Sequence, residues 1–172
     1  MKILVVSDSH GKNSYIDQAV ARESPFDIMA FCGDSERRLD EYEFNSYYAG
    51  EGERYGFYAV RGNCDFFVDY PEEVCFAAEG HKIFMIHGHQ GHIRAKRSEE
   101  GLVKAALERD ADIVLYGHTH IAKISRYEDG RILVVNPGSL TYPRGNAGVG
   151  TYATVEIGAD GKVEAEIHKI MG

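Results

Sequence analysis

The chain has 172 residues, 44% of them hydrophobic and 27% charged, so it can bury the core of one globular domain without disulfides. Its formal net charge of −8 disfavours a surface that binds long nucleic acid through phosphate charge. The apolar runs are too short to span a bilayer and no signal peptide is recognisable, so we expect a cytoplasmic protein without membrane association.

The first two-thirds of the chain alternates short apolar runs with helical segments. Residues 13–23 have a composition typical of a helix. A second helix is predicted after Ser98, whose hydroxyl suits a helix cap and is followed by two glutamates that favour the helix dipole. Its apolar residues at positions 102, 103, 106 and 107 are predicted to face a sheet. The predicted buried strands are residues 3–6, 28–31, 57–60, 82–86 and 113–116.

The last third of the chain is predicted to form two antiparallel hairpins. Residues 123–127 and 131–136 flank Asp129-Gly130, a pair that favours a turn with positive φ at both central positions. Residues 153–157 and 162–169 flank a second turn, and the later run alternates apolar with polar side chains. We find no linker or internal repeat. The pattern predicts one domain, residues 1–172, in which two sheets pack together with helices outside.

Polar side chains follow each of the five early strands. Because the carboxyl ends of strands in α/β sheets form the crevice where ligands bind, we expect these side chains to converge. One such turn alone is more often a hydrogen-bonded loop, but five together predict a metal site. Imidazoles, carboxylates and one amide suit divalent ions such as Mn, Fe, Ni, Co or Zn, and they are too many for one ion. The candidate ligands are Asp8, His10, Asp34, Asn63, His87, His118 and His120.

The order of these motifs resembles the calcineurin-like metallophosphoesterases, and within them the small YfcE-type phosphodiesterases of bacteria and archaea. The carrying motifs are Asp8-Ser9-His10, Gly33-Asp34, Gly62-Asn63, His87, Gly117-His118-Thr119-His120 and the late Asn136-Pro137-Gly138-Ser139. The resemblance covers nearly the whole chain and implies a single-domain α/β fold, a four-layer αββα sandwich with two mixed β-sheets.

The resemblance also implies a role for each ligand. Asp8, His10 and His120 would hold the first metal and Asp34 would bridge both, while Asn63, His87 and His118 would complete the second. Manganese is the expected metal, with nickel, iron, cobalt or zinc as alternatives. The implied activity is hydrolysis of a small phosphodiester by in-line attack of a water or hydroxide that bridges the ions.

One position departs from many larger relatives, which have a histidine where this chain has Cys64. A neutral thiol is a poorer proton donor than an imidazole near pH 7. Asn63, Cys64 and the following Asp65 are the candidate catalytic residues, and Asp65 is either the proton donor or a residue that orients its neighbours. Asn63, His89 and Arg144 are the candidate substrate-binding residues.

A second interpretation is a catalytically weak protein-interaction scaffold similar to the retromer subunit Vps29. Relatives of that kind have lost part of the histidine set, whereas all seven candidate positions are filled here, which favours catalysis. The predicted partner is a small phosphate ester. An aromatic-rich stretch between Tyr42 and Tyr58 offers a surface for a homo-oligomer or for the organic group of a substrate.

Overall fold

The structure is a computed structural model that describes residues 1–43, 55–91, 93, 95, 98–145 and 148–170. The helices that lie wholly within these ranges are α1, Asn13–Glu23, and α2, Glu100–Glu108. The strands are β1 Lys2–Val6, β2 Ile28–Phe31, β3 Gly56–Ala59, β4 Glu73–Ala78, β5 His81–Ile86, β6 Ile113–Leu115, β7 Lys123–Tyr127, β8 Ile132–Asn136, β9 Thr151–Ile157 and β10 Val163–Lys169.

Two mixed five-stranded sheets organise these elements. The first has the strand order β10-β9-β1-β2-β3, and the second has the order β4-β5-β6-β8-β7. Strands β1, β2 and β3 pair in parallel, as do β5, β6 and β8, while the remaining pairs are antiparallel. The parallel strands β1, β2 and β6 are almost continuously apolar because both of their faces are buried.

The layers follow from which side chains pack together. Residues such as Val5 and Leu115 fill the core between the two sheets. Helix α1 covers the outer face of the first sheet through Ile16, and α2 covers the outer face of the second through Leu102. The molecule is therefore a single-domain, four-layer αββα sandwich, as predicted.

Local details differ from the sequence-based predictions. Leu107 is 49% exposed and does not face the sheet, unlike the other three apolar positions of α2. Helix α2 begins at Glu100, so Glu99 occupies the cap position, although Ser98 Oγ still accepts a hydrogen bond of 3.3 Å from the Glu100 N–H. Strand β4 was not predicted, since only Phe76 and Ala78 of this edge strand are fully buried and its apolar pattern is weak.

The first hairpin turn begins one residue earlier than predicted. Asp129 and Gly130 have positive φ as expected, but Glu128 does so too, and the Gly130 N–H donates to the carbonyl of Tyr127 at 3.0 Å. Most of the aromatic stretch, residues 44–54, lies outside the described residues. No helix within the described ranges is long and apolar enough to cross a membrane.

Candidate metal centre

Backbone hydrogen bonds draw the turns after the parallel strands into one site. The N–H of Asp8 donates to the carbonyl of Gly33 at 2.9 Å, and the N–H of His10 donates to that of Asp34 at 3.0 Å. In the second sheet, the Gly117 N–H donates to the His87 carbonyl at 3.1 Å. The predicted convergence of strand ends is therefore present, and it spans both sheets.

Four of the predicted ligands form the centre of this site. One ligand atom from each lies within 4.8 Å of the others, and the four residues are Asp8, His10, Asp34 and His120. Within this group, Asp8 Oδ1 lies 3.0 Å from His120 Nε2 and 4.0 Å from His10 Nε2. Both carboxylates are buried, so their charges would interact more strongly with a cation between them than charges in bulk water would.

A second set of side chains lies on the other side of Asp34. The Nε2 atom of His87 is 3.4 Å from Asp34 Oδ2, and the ring of His118 is 5.1 Å from that of His87, centroid to centroid. The exposed Asn63 donates from Nδ2 to Cys64 Sγ at 3.1 Å, which leaves its amide oxygen available as a ligand. The two carboxylates of Asp8 and Asp34 thus lie among four of the predicted imidazoles. The assignment of Asn63, and the division of all seven predicted ligands between two ions, stay predictions.

Three imidazoles are oriented by acceptors on the side away from the site. His87 Nδ1 lies 2.6 Å from the carbonyl oxygen of Cys32, and His120 Nδ1 lies 2.7 Å from that of Tyr142. His10 Nδ1 lies 2.7 Å from the carboxylate of Glu36. Since a carbonyl or carboxylate oxygen only accepts, each Nδ1 carries the proton, and each Nε2 presents its lone pair to the site.

Buried polar atoms without hydrogen bonds mark the same place. Seven buried side-chain atoms in the described part of the chain lack a hydrogen-bond partner, and three of them belong to candidate ligands: Asp8 Oδ1, His10 Nε2 and His87 Nε2. Buried polar atoms are almost always partnered because leaving one unpaired costs free energy. Divalent cations bound at this site would satisfy the anionic oxygen and both imidazole lone pairs. The residues present therefore fit a bound metal.

The backbone of the site is strained in a way that the sequence does not reveal. Five predicted ligands have φ in the left-handed region, which costs a non-glycine residue about 1–3 kcal/mol. A fold keeps such conformations where the surrounding contacts fix them, typically at functional sites. The φ values are 55° at Asp8, 46° at His10, 58° at Asp34, 67° at His118 and 61° at His120.

Two glycines allow the turns to approach one another. A Cβ at Gly33, where φ is 95°, would lie 2.6 Å from His87 Nδ1. A Cβ at Gly62 would overlap the carboxylate of Asp34. Glycine is required at both positions because any side chain would displace a ligand.

The charges of the site favour ionised carboxylates. Burial opposes ionisation of Asp34, but the adjacent imidazole of His87 and the N–H of Cys64 hold the pKa of its carboxyl well below its usual range. Burial alone would lower the pKa of His87, yet Asp34 and Asp8 raise it. The same balance, set by Asp8, raises the pKa of His120. A metal cation therefore competes with protons for these imidazoles, and acid weakens its binding.

Asp65 is a structural anchor in this geometry. Its Oδ2 accepts the N–H groups of Asp34 at 2.9 Å and Gly62 at 2.8 Å, and its Oδ1 accepts the Glu36 N–H at 2.6 Å and the Ser35 hydroxyl at 3.1 Å. Only 3% of its surface is exposed. These four bonds support the orienting alternative over the proton donor.

The other candidate residues lie around the site. Burial and the nearby Asp34 raise the pKa of Cys64 to about 12, so its thiol stays neutral. His89 is half-buried, its ring centroid is 5.4 Å from that of His87, and burial followed by the charge of His87 lowers its pKa. The N–H of Arg144 donates to the His120 carbonyl at 2.8 Å, so the backbone of Arg144 is in contact with a candidate ligand residue.

The late Asn-Pro-Gly-Ser motif braces the ligand loops from behind. Ser139 Oγ donates to the Asp8 carbonyl at 2.9 Å, and Thr141 Oγ1 donates to the same oxygen at 2.8 Å. Asn136 Nδ2 donates to the Gly117 carbonyl at 2.9 Å. The sequence contains this motif but does not indicate its role. Thr141 and Glu36 belong to no recognisable motif and were not predicted to contribute to the site.

Comparisons with known proteins agree with this architecture. The model of the calcineurin-like phosphoesterase superfamily domain matches residues 1–160. The chain is 35% identical over 145 residues to the probable metallophosphoesterase YsnB of Bacillus subtilis, covering 84% of this chain and 78% of YsnB.

Solved structures share the fold over nearly the whole chain. A predicted phosphoesterase from Streptococcus pneumoniae superposes with a TM-score of 0.76 at 31% identity, covering 98% of this chain and 97% of that one. An archaeal phosphodiesterase has a TM-score of 0.69 at 20% identity, covering 98% and 100%. Zinc-bound Vps29 from Entamoeba histolytica has a TM-score of 0.69 at 20% identity, covering 99% and 100%. The last two likenesses concern the fold alone.

Proposed function

Because the chain belongs to the calcineurin-like phosphoesterase superfamily, we propose that it is a two-metal phosphodiesterase that acts on a small phosphodiester. The observation that carries the proposal is the set of orphaned ligand atoms, Asp8 Oδ1, His10 Nε2 and His87 Nε2, facing one buried site. Manganese is the proposed metal, with nickel, iron, cobalt or zinc as alternatives, since oxygen and imidazole ligands suit all of them.

In this proposal the protein groups divide the work as follows. Asp8, His10 and His120 would hold one ion, Asn63, His87 and His118 would hold the other, and Asp34 would be a ligand of both. Bound ions of this kind activate water and neutralise charge on the phosphoryl oxygens.

The rest of the proposed mechanism concerns orientation. The carbonyls of Cys32 and Tyr142 keep a proton on Nδ1 of His87 and His120, which leaves Nε2 of each ring as the nitrogen that would bind a metal. Asp65 fixes the Asp34 loop through its backbone, and we assign it to positioning. His89 lies beside the ligands, where an oxygen of the reacting phosphate would accept its N–H group. Arg144 adjoins His120 and would bind another part of the substrate.

Metal-dependent hydrolysis of bis-p-nitrophenyl phosphate tests the proposal. We expect protein stripped with a chelator to be inactive and to recover turnover on addition of Mn²⁺, Ni²⁺, Co²⁺, Fe²⁺ or Zn²⁺. Metal analysis of the same samples should find two ions per chain in the active form. Two bound ions without turnover on any of these metals would exclude a phosphodiesterase.

That outcome would favour the scaffold interpretation, which one observation supports. Phe66 and Phe67 follow Asp65 beside the site and are 82% and 93% exposed. Two adjacent exposed aromatic side chains are typical of an interface. The Vps29 likeness adds only the fold, and the filled ligand set favours the enzyme.

The neutral thiol at Cys64 predicts a preference for good leaving groups. A thiol with a pKa of about 12 is a weak proton donor at pH 7, so esters that need protonation of the leaving oxygen should react slowly. We expect Cys64→His to raise kcat/KM for phenyl esters relative to p-nitrophenyl esters by about 10²-fold, the lower end of general-acid catalysis. The measurement is the ratio of kcat/KM for the phenyl ester to that for the p-nitrophenyl ester, in the wild type and in Cys64→His, with Cys64→Ser as the control. An unchanged ratio in Cys64→His would refute it.

A further inference from the structure

A cavity of about 370 Å³ lies next to the candidate metal centre. Its walls include Glu99 at the start of α2, Tyr116 at the end of β6, Thr119, Ile121, Lys123 and Arg144. The volume is within the range of sites that bind small organic ligands. The proposed metal ligands do not line it, so it is a separate space.

Two residues of the cavity wall are direct neighbours of candidate metal ligands. Thr119 stands between His118 and His120, and its Oγ1 is held by a 3.0 Å hydrogen bond from Asn136 Nδ2. The backbone of Arg144 is fixed by a hydrogen bond of 2.8 Å from its N–H to the His120 carbonyl. The cavity is therefore next to the turn that carries two of the candidate ligands.

Glu99 is buried, and both oxygens of its carboxylate accept hydrogen bonds from neighbouring side chains. Its Oε1 accepts the hydroxyl of Tyr116 at 2.7 Å, and its Oε2 accepts the ammonium of Lys123 at 2.7 Å and the hydroxyl of Tyr127 at 2.6 Å. Burial alone would raise the pKa of Glu99, but these donors lower it, so the carboxylate remains ionised. The result is a fixed position for the half-exposed Lys123.

The remaining charge of the cavity is positive. Within the described part of the chain, no carboxylate lies within ion-pair distance of the Arg144 guanidinium. Lys123 has ammonium protons beyond the one that it gives to Glu99. A net positive wall in a chain with a formal charge of −8 is a local feature that favours an anion. Ile121, which is about half exposed, adds an apolar surface.

We propose that this cavity binds the non-reacting part of the substrate, an organic group that carries a second phosphate held by Arg144 and Lys123. The inference rests on the proposed phosphodiesterase function and narrows its substrate to diesters with an additional anionic group. Arg144 supplies a planar fork that matches two phosphate oxygens, and Lys123 supplies a point charge. The apolar side of Ile121 accommodates the carbon skeleton between the two phosphates.

Two chromogenic substrates that differ by one phosphate test the proposal. They are thymidine 5′-(p-nitrophenyl phosphate) and the same compound with a phosphate on its 3′ oxygen. We expect the metal-loaded protein to show a kcat/KM about tenfold or more higher for the phosphorylated compound, the effect of one hydrogen bond between charged groups. Arg144→Gln should bring that ratio close to one.

The matched control is Lys104→Gln, which removes a positive charge from the exposed face of α2 and lines no part of the cavity. The ratio should stay at the wild-type value in this variant. Arg144 is itself exposed, so its replacement should leave the fold intact. A wild-type ratio near one, or a ratio that Arg144→Gln does not change, would overturn the inference while leaving the phosphodiesterase intact.

Calorimetric titration separates this inference from the proposed function. Thymidine 3′,5′-bisphosphate should bind the metal-loaded protein about tenfold or more tighter than thymidine 5′-phosphate, and Arg144→Gln should abolish the difference. If neither diester is hydrolysed but this difference is present, the phosphodiesterase fails and the cavity assignment stands. If hydrolysis and the difference are both absent, both proposals fail.

Discussion

Asp34→Asn is expected to lose at least one bound metal ion and to lower kcat/KM by about 10²-fold or more, because even residues that only orient a metal ligand cost up to that factor. Asp34 Oδ1 accepts the Cys64 N–H at 2.7 Å, and Oδ2 lies 3.4 Å from His87 Nε2. An asparagine can keep the first contact through its oxygen, but its nitrogen cannot bind the second ion. Metal analysis together with hydrolysis of bis-p-nitrophenyl phosphate measures both effects.

The chain provides a matched control for this substitution. Asp129 lies at the tip of the β7–β8 turn, and its φ of 56° is close to the 58° of Asp34. Asp129→Asn therefore makes the same chemical change in the same backbone conformation, away from the site, and should retain both ions and full activity. Two ions and full activity in Asp34→Asn would show that Asp34 is not the bridging ligand.

Asp65→Asn is expected to destabilise the metal-free protein by about 2–4 kcal/mol, because hydrogen bonds to a charged acceptor are among the strongest that a fold makes. The side chain accepts four hydrogen bonds, two on each oxygen, and an asparagine has only one oxygen. Its amide nitrogen would face two donors in a buried space. For a domain of this size, the melting temperature should fall by about 5–15 °C.

This measurement separates the two roles open to Asp65. A residue that only donates a proton to the leaving group contributes nothing to unfolding of the metal-free chain, whereas an anchor of the Asp34 loop does. Thermal and urea unfolding of metal-free protein decide between them, with the exposed Asp69→Asn in the same loop as control. If Asp65→Asn has wild-type stability but hydrolyses esters with poor leaving groups slowly, Asp65 is the proton donor.

The fold was largely accessible from the sequence because its strongest signals are local. The continuous apolar runs of β1 and β2 predict buried strands, and Asp129-Gly130 predicts a turn with positive φ. The failures are also local in origin. Strand β4 lies at a sheet edge and buries only alternate residues, and Leu107 has the apolar spacing of its helix but lies beyond the part that contacts the sheet.

The candidate ligands could be found for a related reason. Each ends or follows a strand, so the order of His87, His118 and His120 along the chain already implies that they meet. The residue types themselves indicate a divalent metal. What the sequence determined by itself is therefore the sandwich, the candidate ligands and the family resemblance.

Only the tertiary structure decided how those ligands are held. The carbonyls that orient His87 and His120 belong to Cys32 and Tyr142, and any residue at those positions offers the same oxygen. The hydroxyl that braces Asp8 comes from Ser139, 131 residues away. Hydrogen bonds of this kind depend on where distant backbone groups meet, which local periodicity does not encode. The same holds for the cavity beside Arg144, whose walls exist only once both sheets and α2 have packed.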